Sequence, residues 1–282
     1  MNKIKFFVVY HKSIHEEVYD SESLENIKFF GVNENIEKTP ITISKDVIQE
    51  KDLPVYEPRF QERGYSETSA AWHIYKNNLY KDLDYIGFGQ YDQVIKGDVF
   101  DEFNKKLSTN KNPCIFYFNK KDLTTDPEFN KVPYDYVVDH YNDFFGTSFS
   151  MDELKKNAKT KDSLILFATF IIHQDLFEKL MSWIEVLVDD IYPWANLPPW
   201  PTHHPHLGGV LERTYGLFFA MELLSNPSTD IQQLPIQHPK KYKIQKHRGR
   251  SVALSDAMEE HNLGDEEIYK LNNILHDDKE EI

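Results

Sequence analysis

Two runs of phenylalanine and valine near the start of the chain constrain its fold most. Lys3–His11 reads KIKFFVVYH, and Asn26–Val32 reads NIKFFGV. Each is a short, nearly unbroken apolar run, the pattern of a buried strand. The spacer between them, KSIHEEVYDSESLE, is acidic and has room for a short helix. A buried strand, a spacer and a second buried strand together predict an α/β sheet.

The remaining pattern extends that reading. Lys38 to Gly64 is polar, carries Pro40, Pro54 and Pro58, and is expected to be irregular. YSETSAAWHIYKNNLYKDL then reads as a helix, with Ser66 as N-cap, Glu67 in the first turn, and Ala71, Tyr75 and Leu79 on one face. A strand follows at once over Tyr85–Phe88, in the stretch DYIGFGQYDQVI. Asp98–Leu107 is expected as a short helix and Cys114–Asn119 as a strand. Ser150 with Glu153, and Asp175 with Glu178, have the spacing of capping boxes. Ser163–His173 reads as a strand or strand pair. Leu176, Leu180, Ile184, Leu187 and Ile191 follow a helical period. A proline and histidine loop, PWANLPPWPTHHPHLGG, leads into the apolar helix VLERTYGLFFAMELL. From Ser225 the chain turns polar, through a basic run, to an acidic tail.

Charge narrows the partners. With 32 basic and 46 acidic residues the formal net charge is −14. Such a surface repels nucleic acid and anionic membranes, so neither is expected as a partner. A phosphate-bearing ligand needs a local basic or metal site against that field. Cys114 is the single cysteine, so no internal disulfide forms, and a reducing compartment is expected. The opening MNKIKFFVVYHKS is too short for a signal segment, and no apolar stretch is long enough to span a membrane. The expectation is a cytoplasmic protein.

Four segments, in order, resemble the GT-A-type glycosyltransferases of the bacterial capsule and lipopolysaccharide type. RGYSETSAAWHIYKN followed by DYIGFGQYD is similar to that family's Tyr-Cys/Ser-Glu helix and YIG strand. FATFIIHQDLFEKLMSWIEVL resembles its later strand and ELF-W helix, and LGGVLERTYGLFFA its closing helix. VVYHK is similar to its first strand, which ends near His-Lys. The matches are dispersed over roughly the first four-fifths of the chain. The resemblance implies a GT-A-like, Rossmann-type mixed sheet flanked by helices, with an irregular Pro/His loop and a C-terminal tail. It implies one catalytic domain over residues 1–225. Within it, 1–120 is the nucleotide-sugar half and 121–225 the acceptor half, with 226–282 as a basic segment and acidic tail. The implied activity moves a sugar from a UDP- or GDP-sugar to a hydroxyl of a glycan acceptor. Mn²⁺ or Mg²⁺ on the diphosphate is the expected cofactor. Where the family has HYRRYF, this chain has QYDQVI, which puts an acid where the family has arginines.

The candidate site residues each carry more than one reading. Asp92 closes a turn, or, as Gln90-x-Asp92, stands in for the Asp-x-Asp metal motif of the wider class; Asp98 is a further acid nearby. A single carboxylate holds a divalent ion poorly, so Asp92 needs a partner. His203, His204 and His206 form a surface loop or bind a transition metal. His206 is the candidate to complete a Mn²⁺ site with Asp92. Glu67 serves the helix dipole, or, by the resemblance, the donor pocket. His11, Lys12, Gln90 and Tyr91 are assigned to the donor on the same ground, His11 being alternatively a core residue. Glu212 pairs with Arg213 inside an apolar helix, or is the base that deprotonates the acceptor hydroxyl. Trp194 and Trp200 are placed to stack on an acceptor sugar, while Tyr65, Trp72 and Trp183 are core candidates. The run Lys240, Lys241, Lys243, Lys246, His247, Arg248 and Arg250 is a solvated tail or a lid on the diphosphate. Two other functions compete with transfer: a non-catalytic binding module on a degenerate transferase fold, and a metal hydrolase built on the histidine loop.

Overall fold

The computed structural model describes residues 2–10, 19, 21–32, 47–62, 65, 67–91, 95, 97–110, 112–118, 120–121, 123–124, 134–160, 164–165, 168–192 and 206–235. Its elements in order are β1 (Ile4–Tyr10), α1 (Ser21–Asn26), β2 (Ile27–Gly31), β3 (Val47–Gln49), a 3₁₀ turn (Glu50–Asp52), α2 (Arg59–Glu62), α3 (Glu67–Lys76), β4 (Tyr85–Gln90) and α4 (Gly97–Thr109). There follow β5 (Cys114–Tyr117), β6 (Lys120–Lys121), α5 (Tyr134–Phe145), α6 (Met151–Lys156), β7 (Leu164–Ile165), β8 (Phe170–His173), α7 (Gln174–Ile191), α8 (His206–Ser225) and β9 (Asp230–Gln233).

Among the described residues, seven strands form one mixed sheet in the order β3-β2-β1-β4-β8-β5-β9, while β6 and β7 pair separately. Every pairing in the large sheet is parallel except those of β8, which runs antiparallel between β4 and β5. The chain steps from β1 outward to β2 and β3, then returns to place β4 on the other side of β1. That reversal is a topological switch point, where open α/β sheets bind ligands beyond the carboxyl ends of their strands.

The expected unbroken apolar run of β1 follows from burial on both faces. Phe7 and Val9 enter the larger core, with residues of α3, α5, α7 and α8. Phe6, Val8 and Tyr10 enter the smaller one, with residues of α4. The same alternation explains YIGFG. Ile86 and Phe88 join the larger core, whereas Gly87 and Gly89 leave room for the Phe6 ring on the opposite face. A Cβ at Gly87 would lie 2.4 Å from Phe6 Cδ2 and 2.9 Å from Ile171 Cγ1.

Several boundaries differ from the sequence reading. The Lys38–Gly64 stretch holds an edge strand, β3, of three half-buried residues, too short to register as a pattern. Ser163–His173 makes two strands in two different sheets. Residues beyond Ser225, read as a polar segment, supply β9 at the far edge of the sheet. Asp230 is fastened there by Asn110 Nδ2 at 2.7 Å and by its own N–H to the Pro113 carbonyl at 2.8 Å. The N-cap of α7 is His173, whose Nδ1 accepts from the Asp175 N–H at 3.2 Å, rather than Asp175. Glu178 instead pairs with Lys81 at 2.8 Å. Ser150 does cap α6, accepting from the Glu153 N–H at 3.2 Å. Helix α3 stops at Lys76. Asn78 takes φ +56°, and the Leu79 and Asn78 N–H groups bond back to Ile74 and Tyr75. This is a Schellman closure, with Asn tolerating the left-handed position. Ser66, read as the α3 cap, lies outside the described residues.

A buried polar cluster ties the β3 end to α3. Ser69 Oγ donates to Glu50 Oε2 at 2.6 Å, His73 Nδ1 donates to the Ser69 carbonyl at 2.8 Å, and His73 Nε2 accepts from the Glu57 N–H at 3.0 Å. Both ring nitrogens are satisfied in the neutral form. Burial lowers the His73 pKa, outweighing the opposing pulls of the Ser69 carbonyl, Glu50 and Glu57. The unfolded chain therefore takes up this proton first as pH falls. His73 contributes its full stability above the ordinary histidine value and loses it as pH drops through the depressed folded value. Urea midpoints are expected to fall between pH 7.5 and pH 5, with a shallower slope in His73→Gln.

Helix α8 is apolar around most of its circumference and mostly buried. Its last turn is anchored by Glu222, which accepts from the Tyr141 hydroxyl and pairs with Lys179. That joins α5, α7 and α8 at one point. Among the described residues no helix is long and apolar enough to cross a membrane.

Candidate functional site

The parallel register of β1 and β4 brings their carboxyl ends to the same edge, Val9 opposite Gln90. The Tyr91 N–H continues the ladder to the Val9 carbonyl at 3.0 Å, and the Val32 N–H reaches the Tyr10 carbonyl at 2.9 Å. Tyr10 is fully buried, its hydroxyl has no hydrogen-bond partner, and burial pushes its pKa up to about 12. Because β8 is antiparallel, its amino end arrives at this edge too, with Phe88 opposite Phe170. Just before it, Ala168 takes φ +47° while 2% exposed. A left-handed non-glycine residue costs on the order of 1–2 kcal/mol and persists only where its surroundings impose it.

Two helices meet over the same edge. Glu67 is the first residue of α3, half-buried, where the helix dipole favours a negative charge. Its neighbour Thr68 is buried and accepts a 2.7 Å hydrogen bond from the Tyr215 hydroxyl of α8. The Tyr215 ring stands edge-on to Phe170 at 5.9 Å. Its phenol pKa is raised, chiefly by burial and further by the Glu67 charge, with the Thr68 bond opposing. One turn before Tyr215 lies Glu212. Its side chain keeps 19% of its exposure and stands 3.6 Å from Arg213 Nη1. That guanidinium also donates to the Gly209 carbonyl at 2.9 Å. The ion pair expected between Glu212 and Arg213 is therefore present, and the carboxylate is not sealed in by it.

Glu67, Gln90, Tyr91 and Glu212 thus lie on three elements joined at one region: the carboxyl end of β4, the start of α3 and the first half of α8. His11, Lys12, Asp92, Trp194, Trp200, His203, His204 and the basic run from Lys240 lie outside the described residues. His206 opens α8, its side chain likewise outside them. Among the described residues no cluster of three or more His, Cys, Asp or Glu side chains could hold a metal ion.

Sequence reading missed Thr68, Tyr215 and Ala168. Tyr215 stands one turn after Glu212, a faint signal. Nothing local links it to Thr68, 147 residues away. Alanine gives no hint of a left-handed backbone.

No protein-family model matches the chain, and no curated protein matches its sequence. Among solved structures, the apo form of the bifunctional glycosyltransferase WbbM aligns with 84% of this chain at 15% identity and a TM-score of 0.54. The present chain spans 45% of that protein's length. Glucosyl-3-phosphoglycerate synthase from Mycobacterium tuberculosis, solved with Mn²⁺, UDP and phosphoglyceric acid, aligns over 91% of this chain and 78% of its own. The identity there is 11% and the TM-score 0.41. Mouse xyloside xylosyltransferase 1 aligns over 82% and 84%, at 11% identity and a TM-score of 0.34. The first likeness carries the fold argument. The chain has the mixed, helix-flanked, Rossmann-type sheet of GT-A-like glycosyltransferases, and the resemblance read from its sequence holds at that level.

Proposed function

We propose that this chain is a glycosyltransferase that moves a sugar from a UDP- or GDP-linked donor to a hydroxyl of a glycan acceptor. One observation carries the reading. Two accessible carboxylates, Glu67 and Glu212, stand on helices that meet over the carboxyl edge of β4, beside the switch point of a GT-A-like sheet. Residues 1–120 form the donor half and 121–225 the acceptor half. Glu67, Gln90, Tyr91, His11 and Lys12 hold the donor, and Trp194 and Trp200 the acceptor sugar.

Glu212 takes the proton of the acceptor hydroxyl as its oxygen attacks the anomeric carbon. The bond from that carbon to the diphosphate oxygen breaks, and the nucleoside diphosphate leaves with the electron pair. A divalent ion, Mn²⁺ or Mg²⁺, held by Asp92 with His206, supplies charge neutralisation to the diphosphate when bound. The single, buried Cys114 suits a reducing compartment, and we place the enzyme in the cytoplasm.

A panel of UDP-glucose, UDP-galactose, UDP-N-acetylglucosamine and GDP-mannose tests this, read first as thermal shift and then as transfer to p-nitrophenyl glycosides. At least one donor is expected to stabilise the protein, more so with Mn²⁺, and the Mn²⁺ increment is expected to vanish in Asp92→Asn. No shift with any of the four, with or without metal, overturns the assignment. Binding without turnover identifies a non-catalytic module instead.

A further inference from the structure

The Thr68–Tyr215 hydrogen bond joins the donor half to the acceptor half at a buried point. Thr68 is 2% exposed and Tyr215 1%. Apolar packing is non-directional, so on its own it lets two helices slide by a fraction of an ångström. A 2.7 Å hydrogen bond between buried groups is directional and costly to leave unmade. The phenol is itself held from below. Its ring rests against Phe170 of β8, and Phe170 stands opposite Phe88 on β4. On the other side, Thr68 is tied into the first turn of α3 through its own N–H to the Tyr65 carbonyl at 3.0 Å. Glu67 is its immediate neighbour, and Glu212 is one helical turn from Tyr215.

We propose that Tyr215 is a positioning residue for sugar transfer. Its hydroxyl, donated to Thr68, fixes α3 against α8 and so sets the reach between donor-side Glu67 and acceptor-side Glu212. This rests on the glycosyltransferase reading. Tyr215 is buried and touches neither substrate; it acts through the two helices. An error of about 1 Å in the placement of reacting groups costs about 100-fold in rate. The signature is therefore a loss in kcat with donor binding intact.

The test uses the full chain with the same four sugar nucleotides, assayed by release of nucleoside diphosphate and by transfer to p-nitrophenyl glycosides. Tyr215→Phe keeps the ring on Phe170 and removes only the hydroxyl. Its kcat is expected to fall about 10- to 100-fold while the donor KM stays within about twofold. Thr68→Val is expected to do the same, and serves alone should Tyr215→Phe fail to fold. The double variant is expected to be no worse than either single one, because both remove one interaction. Thr68→Ser, which keeps the accepting oxygen, is expected to restore most of the rate. A purely structural bond would lower the melting temperature and leave kcat unchanged well below it. That result, with an active wild type, overturns the inference alone, as does a loss confined to donor KM. A wild type that transfers from none of the four donors overturns the glycosyltransferase reading, and the inference with it.

Discussion

Glu212→Gln is expected to lower kcat by about 10²–10⁴-fold, the worth of a general base, and to leave donor affinity within about twofold. Glutamine has nearly the same shape, and its amide oxygen can still face Arg213. The packing of α8 is therefore preserved and only the proton acceptor is lost. The change separates the two roles open to this residue. If Glu212 serves only its 3.6 Å ion pair, neutralising it changes stability a little and rate hardly at all. If it is the base, the loss falls on kcat with donor binding intact. Steady-state kinetics, with donor binding followed by thermal shift, distinguishes these. A collapse of donor affinity instead moves Glu212 to the donor side of the site.

Gly87→Ala gives the largest expected loss of stability. The new methyl would sit 2.4 Å from Phe6 Cδ2 and 2.9 Å from Ile171 Cγ1. Neither neighbour has room to yield. Both are fully buried, and the Phe6 ring stands edge-on to Phe118 at 5.7 Å and to Phe100 at 6.4 Å. Overpacking of this kind costs about 1–3 kcal/mol, and the contact at 2.4 Å points to the upper end. At roughly 2–4 °C per kcal/mol for a domain of this size, the melting temperature drops by up to about 10 °C. The cause is tested by adding Phe6→Leu, which removes the offending ring edge. The pair is expected to be less destabilised than the sum of the two single changes. Strict additivity would mean that the glycine is needed for some other reason.

The two cases show what the sequence makes legible. Strands β1, β2 and β4 and helices α7 and α8 could be read because each fills its face of the core with a continuous or periodic apolar pattern. The glycines of β4 were visible too, but their cause was not: it lies in the ring of Phe6, on a neighbouring strand. Strands β3 and β9 escaped because three or four half-buried or exposed edge residues leave too few apolar positions for a period. The His173 cap escaped because Asp175 and Glu178 offered a better-known spacing, whereas Glu178 is engaged by Lys81 from another element. Within the candidate site, Glu67, Gln90 and Tyr91 follow from the family resemblance, and Glu212 from its charge inside an apolar helix. The Thr68–Tyr215 bond that relates their helices follows from neither, because it closes across 147 residues.

The antiparallel strand β8 has a consequence for how the chain is made. It occupies the gap between β4 and β5, so residues from the second half of the molecule complete a sheet begun by the first. During synthesis both flanking strands leave the ribosome well before the piece that fits between them, each with a bare edge. A chain cut after residue 120 is expected to keep those edges open and to stick to other copies through them. Residues 1–120 are therefore not expected to yield a soluble fragment: their sheet waits for β8 to fill the gap and for β9 to cover the far side of β5.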